Sequence, residues 1–138
     1  MILIVLIFID KSSYIKGDDL MILIKEFEFD AAHNLVNYHG KCEKLHGHTY
    51  KLVVKLEGEP DEEGMVFDFV ELKNLVNEKI IKEFDHAYLN NIIPQPTAEN
   101  IAIYTWNKLK AHINRDNSKL YEVQVWETKT SGIVYRGE

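Results

Sequence analysis

Six histidines and one cysteine stand in this 138-residue chain. Four of the histidines, His33, His39, His46 and His48, surround Cys42. His46-Gly47-His48 puts two imidazoles on one side of an extended segment, because residues i and i+2 of a strand project together. His33 falls on the apolar parity of an earlier run, in which Phe27, Phe29 and Ala31 alternate with Glu26, Glu28 and Asp30. Three neutral imidazole nitrogens converging from two strands suit Zn²⁺ and leave a fourth position for water or substrate. A closed structural zinc site is usually richer in cysteine. The opposing reading is three separate core histidines with satisfied hydrogen bonds. The shared apolar faces and the glycine between two of the rings favour the metal.

Cys42 lies in Tyr38-His39-Gly40-Lys41-Cys42-Glu43-Lys44, a polar stretch with the character of a loop. Lys41 and Lys44 favour a thiolate, the reactive form of cysteine. A fourth zinc ligand is the other role for this residue, and spacing leaves both open. Asp85-His86 joins a carboxylate to an imidazole that titrates near neutrality, a pair able to move protons. It equally suits a polar helix C-terminus. Glu127 shares parity with Val123 and Val125, so a carboxylate projects from an apolar strand face. A buried carboxylate needs partners, and it can accept two parallel N–H bonds from a guanidine-like ligand edge. As a strand-end residue it can instead reach solvent. Thr97 and Glu99 have the character of an N-cap and a first-turn acid. His112 belongs on a solvated helix face, and His39 has no assigned role.

Alternation predicts strands over residues 22–33 and 46–57, with an acidic turn at 58–64 containing Pro60. Asp68, with Glu71 three residues on, predicts a helix N-terminus. Phe69, Leu72, Leu75, Val76 and Ile80 follow at helical spacing, and this helix is expected to fade near Phe84. A connector containing Pro94 and Pro96 leads to Thr97, which opens a second helix carrying Ala102, Trp106, Leu109 and Ile113. Tyr121, Val123, Val125 and Glu127 share one face of a third strand, and residues 133–135 form the last. The order strand, strand, helix, helix, strand, strand predicts an α+β fold with antiparallel pairing and the helices on one face.

The composition bounds the function. Apolar residues make up 46% of the chain, enough for one core. Asp and Glu number 22 against 16 Lys and Arg, a net charge of −6. An acidic chain with no basic run argues against nucleic acid or an anionic membrane as a direct partner. A small anionic ligand held by a few local cations stays compatible. One cysteine excludes an intramolecular disulfide and predicts a reducing, cytoplasmic setting. No glycine-rich dinucleotide or phosphate loop is present. The apolar run over residues 1–9 is shorter than the roughly 20 residues a bilayer span needs, and it lacks signal-peptide flanks. Met21-Ile22-Leu23-Ile24 repeats the opening tetrapeptide. Residues 1–20 are therefore either an N-terminal extension of unknown role or an extra edge strand, and 21–138 form a single domain.

The motifs, taken in order, resemble the 6-pyruvoyl-tetrahydropterin synthase family. They are Phe29-Asp30-Ala31-Ala32-His33, then Cys42-Glu43-Lys44-Leu45-His46-Gly47-His48, Gly64-Met65-Val66 with Asp68-Phe69, and Leu72-Lys73. Asp85-His86 with Leu89-Asn90, Pro96-Thr97-Ala98-Glu99-Asn100, Glu127-Thr128 and Tyr135-Arg136-Gly137-Glu138 complete the series. The Cys-x-x-x-His-Gly-His spacing is similar to the 6-carboxy-tetrahydropterin synthase branch; animal pyruvoyl enzymes usually place more residues between the cysteine and the first histidine.

This resemblance implies a T-fold, or tunnelling fold: a four-stranded antiparallel sheet with two helices on one face, in ββααββ order. Subunits of that kind form barrels, typically a homohexamer of two trimers. It implies Zn²⁺ held by His33, His46 and His48, and proton transfer by Cys42, Asp85 and His86 gathered at a subunit interface. Glu127 would anchor the pterin ring, with Thr97 and Glu99 assisting. The implied substrate is 7,8-dihydroneopterin triphosphate, and the products are 6-carboxy-tetrahydropterin, acetaldehyde and triphosphate, in 7-deazaguanine (queuosine or archaeosine) synthesis. Lys41, Lys44, Lys51 and Arg136 are the candidates for holding the triphosphate. The alternatives are a 6-pyruvoyl-tetrahydropterin synthase or a bifunctional relative, a zinc hydrolase, and a non-catalytic zinc-binding module.

Overall fold

A computed structural model describes residues 19–41 and 43–137. The expectations for residues 1–18, for Cys42 and for Glu138 lie outside the described residues. Strand β1 (Met21–His33) pairs antiparallel with β2 (His46–Gly58) in unbroken register, from Met21 opposite Gly58 to His33 opposite His46. Alternation buries Leu23, Phe27, Phe29, Ala31 and His33 and leaves Ile22, Ile24, Glu26 and Glu28 exposed.

Helix α1 (Phe69–Val76) begins at Asp68, whose carboxylate accepts the Val70 N–H at 2.7 Å. The helix widens into a π-helical segment (Asn77–Ile81) and closes with one turn (Lys82–Phe84). Leu72, Val76, Ile80 and Phe84 are all fully buried. A strict four-residue spacing drifts around a helix of 3.6 residues per turn, and the wider π turn absorbs that drift. Phe69, expected on the apolar stripe, precedes it and is 59% exposed.

The connector adds a strand that periodicity does not announce. Strand β3 (Ala87–Tyr88) runs parallel to β1 at Ala31 and Ala32. The sheet therefore has five strands in the order β3-β1-β2-β4-β5 and is mixed, not four-stranded and wholly antiparallel. The His86 N–H donates to the Asp30 carbonyl at 2.6 Å, which seats the connector on the β1 edge. Two residues are too few to show a period.

Helix α2 (Ala98–Ile113) is capped by Thr97, whose hydroxyl accepts the Asn100 N–H at 3.1 Å. It buries Ile101, Ala102, Thr105, Leu109 and Ile113 in the same core as α1. Strands β4 (Ser118–Trp126) and β5 (Gly132–Tyr135) complete the sheet. The β2–β4 register slips between Lys55 and Leu56, so Lys55 opposes Glu122 while Leu56 opposes Leu120. Tyr121 is the extra residue of this bulge. The core side is thus Leu120, Val123 and Val125, and Tyr121, expected beside Val123, is only half-buried beneath the Arg136 guanidinium.

On the opposite sheet face Glu122 is 2% exposed. Its carboxylate accepts from Lys55 at 2.7 Å, Gln124 at 2.7 Å and Arg136 at 3.0 Å. Burial pushes this carboxyl up, but the three donors outweigh it and hold its pKa below the usual glutamate range. No helix among the described residues is long and apolar enough to cross a membrane.

Candidate active site

The paired ends of β1 and β2 bring three imidazoles together on the core face. His33 is buried at 1% exposure, and His46 and His48 are half-buried. One nitrogen from each ring lies within 4.8 Å of the other two. Second partners set the tautomers. His33 Nδ1 donates to the Pro96 carbonyl at 2.8 Å, and His46 Nδ1 donates to the Lys44 carbonyl at 2.8 Å. A carbonyl only accepts, so both protons sit on Nδ1 and both Nε2 atoms carry lone pairs. Those two Nε2 atoms are 3.1 Å apart, a contact that needs a proton or a cation between them. His48 Nε2 is buried with no hydrogen-bond partner.

Glu127 follows the parity of Val125 past the end of β4 and turns its carboxylate to the same point. Its Oε1 is 3.2 Å from His33 Nε2 and 3.6 Å from His48 Nε2. Ligand atoms on a tetrahedral ion with bonds of about 2.0 Å stand roughly 3.3 Å apart. The observed separations of 3.1, 3.2 and 3.6 Å bracket that spacing. The three histidine nitrogens therefore fit a divalent metal ion, with the Glu127 carboxylate beside it, and backbone carbonyls orient two of the rings as metal-bound histidines require. Burial first, then the charge of neighbouring His46 and His33, lowers the His48 pKa against the opposing pull of Glu127. A neutral ring at neutral pH is the metal-binding form. Tyr50 forms the floor, 4.9 Å from the stacked Phe29 ring, and burial raises its pKa.

Asp85 and His86 form a second group, on the edge of β1. Asp85 Oδ2 is 3.1 Å from His86 Nδ1. Asp85 Oδ1 accepts the Asp30 N–H at 3.0 Å, the largest of the influences holding its pKa low. Asp30 itself accepts from the Thr49 hydroxyl at 2.5 Å. His86 has φ of 58° and an 80% exposed side chain, so the turn into β3 presents a carboxylate-oriented imidazole outward. Asp30 has the parity opposite to His33, and the two groups remain separate clusters within one chain. Thr97 spends its hydroxyl on the α2 cap and Glu99 is exposed in the first turn; Pro96, beside them, makes the contact with His33.

Several residues with no role in the sequence reading shape this site. Asn90 brackets Asn34, accepting its N–H at 3.0 Å and donating to its carbonyl at 2.8 Å. Gln95 does the same for Val36, at 2.7 and 2.9 Å. Between them the Leu35 carbonyl accepts the Glu43 N–H at 2.9 Å. Two side-chain amides thus stand in for a missing strand and fix the return of the loop to His46. The Glu43 charge raises the pKa values of His48 and Tyr50, although burial dominates both. Asn90 lies in a matched motif, but only distance in space reveals its partner.

A cleft of about 570 Å³ opens beside Glu127 and His48, with Lys51, Trp126 and Lys129 on its walls.

The model of the family described as 6-pyruvoyl tetrahydropterin synthase matches residues 22–138. The chain is 35% identical to the 6-carboxy-5,6,7,8-tetrahydropterin synthase of Haemophilus influenzae, over 81% of this chain and 96% of that protein. It is 39% identical to the dihydroneopterin monophosphate aldolase of Pyrococcus furiosus, over 80% and 93% of the two chains. The solved 6-pyruvoyl tetrahydropterin synthase of Caenorhabditis elegans superposes with a TM-score of 0.73 at 29% identity, covering 86% of this chain and 96% of that one. The chain belongs to the 6-pyruvoyl tetrahydropterin synthase family, T-fold lyases that act on pterins.

Proposed function

We propose that the protein is a zinc-dependent 6-carboxy-tetrahydropterin synthase. It converts 7,8-dihydroneopterin triphosphate to 6-carboxy-5,6,7,8-tetrahydropterin, acetaldehyde and triphosphate, in 7-deazaguanine synthesis in the cytoplasm. The observation that carries this reading is the convergence of His33, His46 and His48, with two Nδ1 atoms tied to backbone carbonyls and a carboxylate alongside. The resemblance to the Haemophilus enzyme and the Cys42-to-His46 spacing favour the carboxy product.

His33, His46 and His48 hold Zn²⁺. The ion supplies Lewis-acid stabilisation of negative charge developing on side-chain oxygens of the substrate. Glu127 accepts N–H bonds from the pterin edge and so aligns the side chain. Cys42, as thiolate, takes a proton from the side chain. His86, oriented by Asp85, carries the complementary proton. Elimination releases triphosphate with its bridging oxygen. One water then adds to the side chain and supplies the second carboxylate oxygen as carbon–carbon cleavage frees acetaldehyde. The electrons given up by the side chain reduce the pterin ring, so no redox cofactor is needed. The Asp85–His86 pair and the histidine group occupy separate places in one chain, so they work together between copies, in a homohexamer of two trimers.

A second reading, a 6-pyruvoyl-tetrahydropterin synthase, is favoured by the Caenorhabditis elegans superposition. Mass spectrometry of products from metal-loaded protein and dihydroneopterin triphosphate separates the two. The carboxy reading predicts a pterin bearing a one-carbon acid, and a pterin retaining all three side-chain carbons would replace it with the second.

A further inference from the structure

We infer that Asn90 and Gln95 are positioning residues for the metal site, and that they set its affinity for a divalent cation by holding the chain that leaves His33. The inference rests on the zinc part of the reading above and on none of its pterin chemistry.

The strand ladders stop at His33. Pairing with β2 ends at His33 opposite His46, and pairing with β3 ends at Ala32 opposite Tyr88. The N–H and C=O of Asp30 both turn to the β3 side, where they meet Asp85 Oδ1 and the His86 N–H. Backbone groups alternate sides along a strand, so Asn34 and Val36 continue that direction past the strand end. Asn90 takes both the N–H and the C=O of Asn34, and Gln95 takes both groups of Val36, as a neighbouring strand would. Leu35 turns the other way, and its carbonyl accepts the Glu43 N–H at 2.9 Å. The ladder thus runs three residues beyond the metal ligand. Burial does little to hold this stretch, since Val36 is 40% exposed and residues 37–41 are all exposed.

Both carbonyls that orient the rings depend on these amides. The Lys44 carbonyl bonded to His46 Nδ1 directly follows Glu43, which Leu35 holds. The Pro96 carbonyl bonded to His33 Nδ1 directly follows Gln95. The Gln95 carbonyl accepts from the Asn100 side chain at 2.8 Å and from the Thr97 N–H at 2.9 Å. Gln95 therefore ties the start of α2 to the end of β1, with Pro96 beside the tie. Removing either amide deletes no ligand atom, so any effect on the metal comes through ring position. Groups that hydrogen-bond a metal ligand are typically worth 10- to 100-fold in affinity. Asn90 and Gln95 act one step further out, at the lower end of that range.

Zinc dissociation constants of the full chain, measured by competition with a chromophoric chelator and no substrate, test this. Asn90→Ala and Gln95→Ala should each weaken zinc by roughly ten-fold. Gln95→Glu keeps the acceptor for the Val36 N–H and loses the donor, so it should fall between Gln95→Ala and wild type. It also decides the matter if Gln95→Ala does not fold. Asn117→Ala is the control. Its amide donates to the Glu59 and Val66 carbonyls at 2.9 and 3.1 Å, at the end of the sheet away from the histidines. That variant should lose stability in denaturant and keep the wild-type zinc constant. Wild-type zinc affinity in the Asn90 and Gln95 variants, or equal weakening in Asn117→Ala, overturns the inference and leaves the zinc reading in place. Wild-type protein that binds no zinc overturns both.

Discussion

Oε1 of Glu127 lies 3.2 Å from Nε2 of His33, whose Nδ1 is already donating to the Pro96 carbonyl. A neutral His33 therefore turns a lone pair toward a carboxylate, and the contact is favourable only with a positive charge at the meeting point. Glu127 thus stands beside the point where the three histidines could hold a metal. Glu127→Gln keeps the shape and removes the charge. It should raise KM for the pterin by about 10- to 100-fold, the range for a hydrogen bond to a charged group, with zinc retained by the three histidines. Zinc content measured beside KM checks this, and loss of zinc would make Glu127 a ligand instead of an anchor.

His46→Ala removes one Nε2 and frees the Lys44 carbonyl. Bound metal and turnover should fall together, with the metal released at chelator concentrations at least ten-fold lower, as even losing a group that only hydrogen-bonds a metal ligand produces 10- to 100-fold effects. Emission spectrometry of the dialysed variant measures it. A metal-free variant with full activity would remove the metal from the account.

Asp85→Asn should lower kcat by roughly 100-fold, a typical general acid–base contribution, while KM and zinc content stay level. Mixing inactive His46→Ala and His86→Ala proteins after reversible dissociation should restore part of the activity, because each copy then supplies the group the other lacks.

Glu122 predicts a pH dependence of stability. Its pKa is lower in the folded chain than in the unfolded one, so the folded state binds fewer protons in mild acid. Its stabilisation is complete above the ordinary glutamate range and is lost as pH falls through the lowered value. Glu122→Gln should cost about 1–3 kcal/mol at neutral pH, the penalty for leaving buried donors unpaired. Denaturant titrations should show the two proteins converging as pH falls below the ordinary glutamate range.

The parts legible in the sequence are those set by short-range periodicity. Parity alone placed His33 with Phe29 and put Glu127 on the face of Val125, and both side chains reach the same point. Asp68 and Thr97 mark both helix starts by their own chemistry. The bulge at Tyr121 escaped because a register slip depends on the partner strand, not on the alternation of either one. The β3 contact and the amide brackets of Asn90 and Gln95 join residues more than fifty positions apart. The buried Glu122 looks, in sequence, like any polar residue on an outer face. Its burial comes from Lys55 and Arg136, which only the folded sheet assembles.

Carbon–carbon cleavage sets a carboxy synthase apart from a pyruvoyl one, and acetaldehyde is its direct product. Zinc-loaded protein supplied with 7,8-dihydroneopterin triphosphate should release acetaldehyde and triphosphate in equimolar amounts throughout the reaction. Triphosphate released with no acetaldehyde would contradict the account.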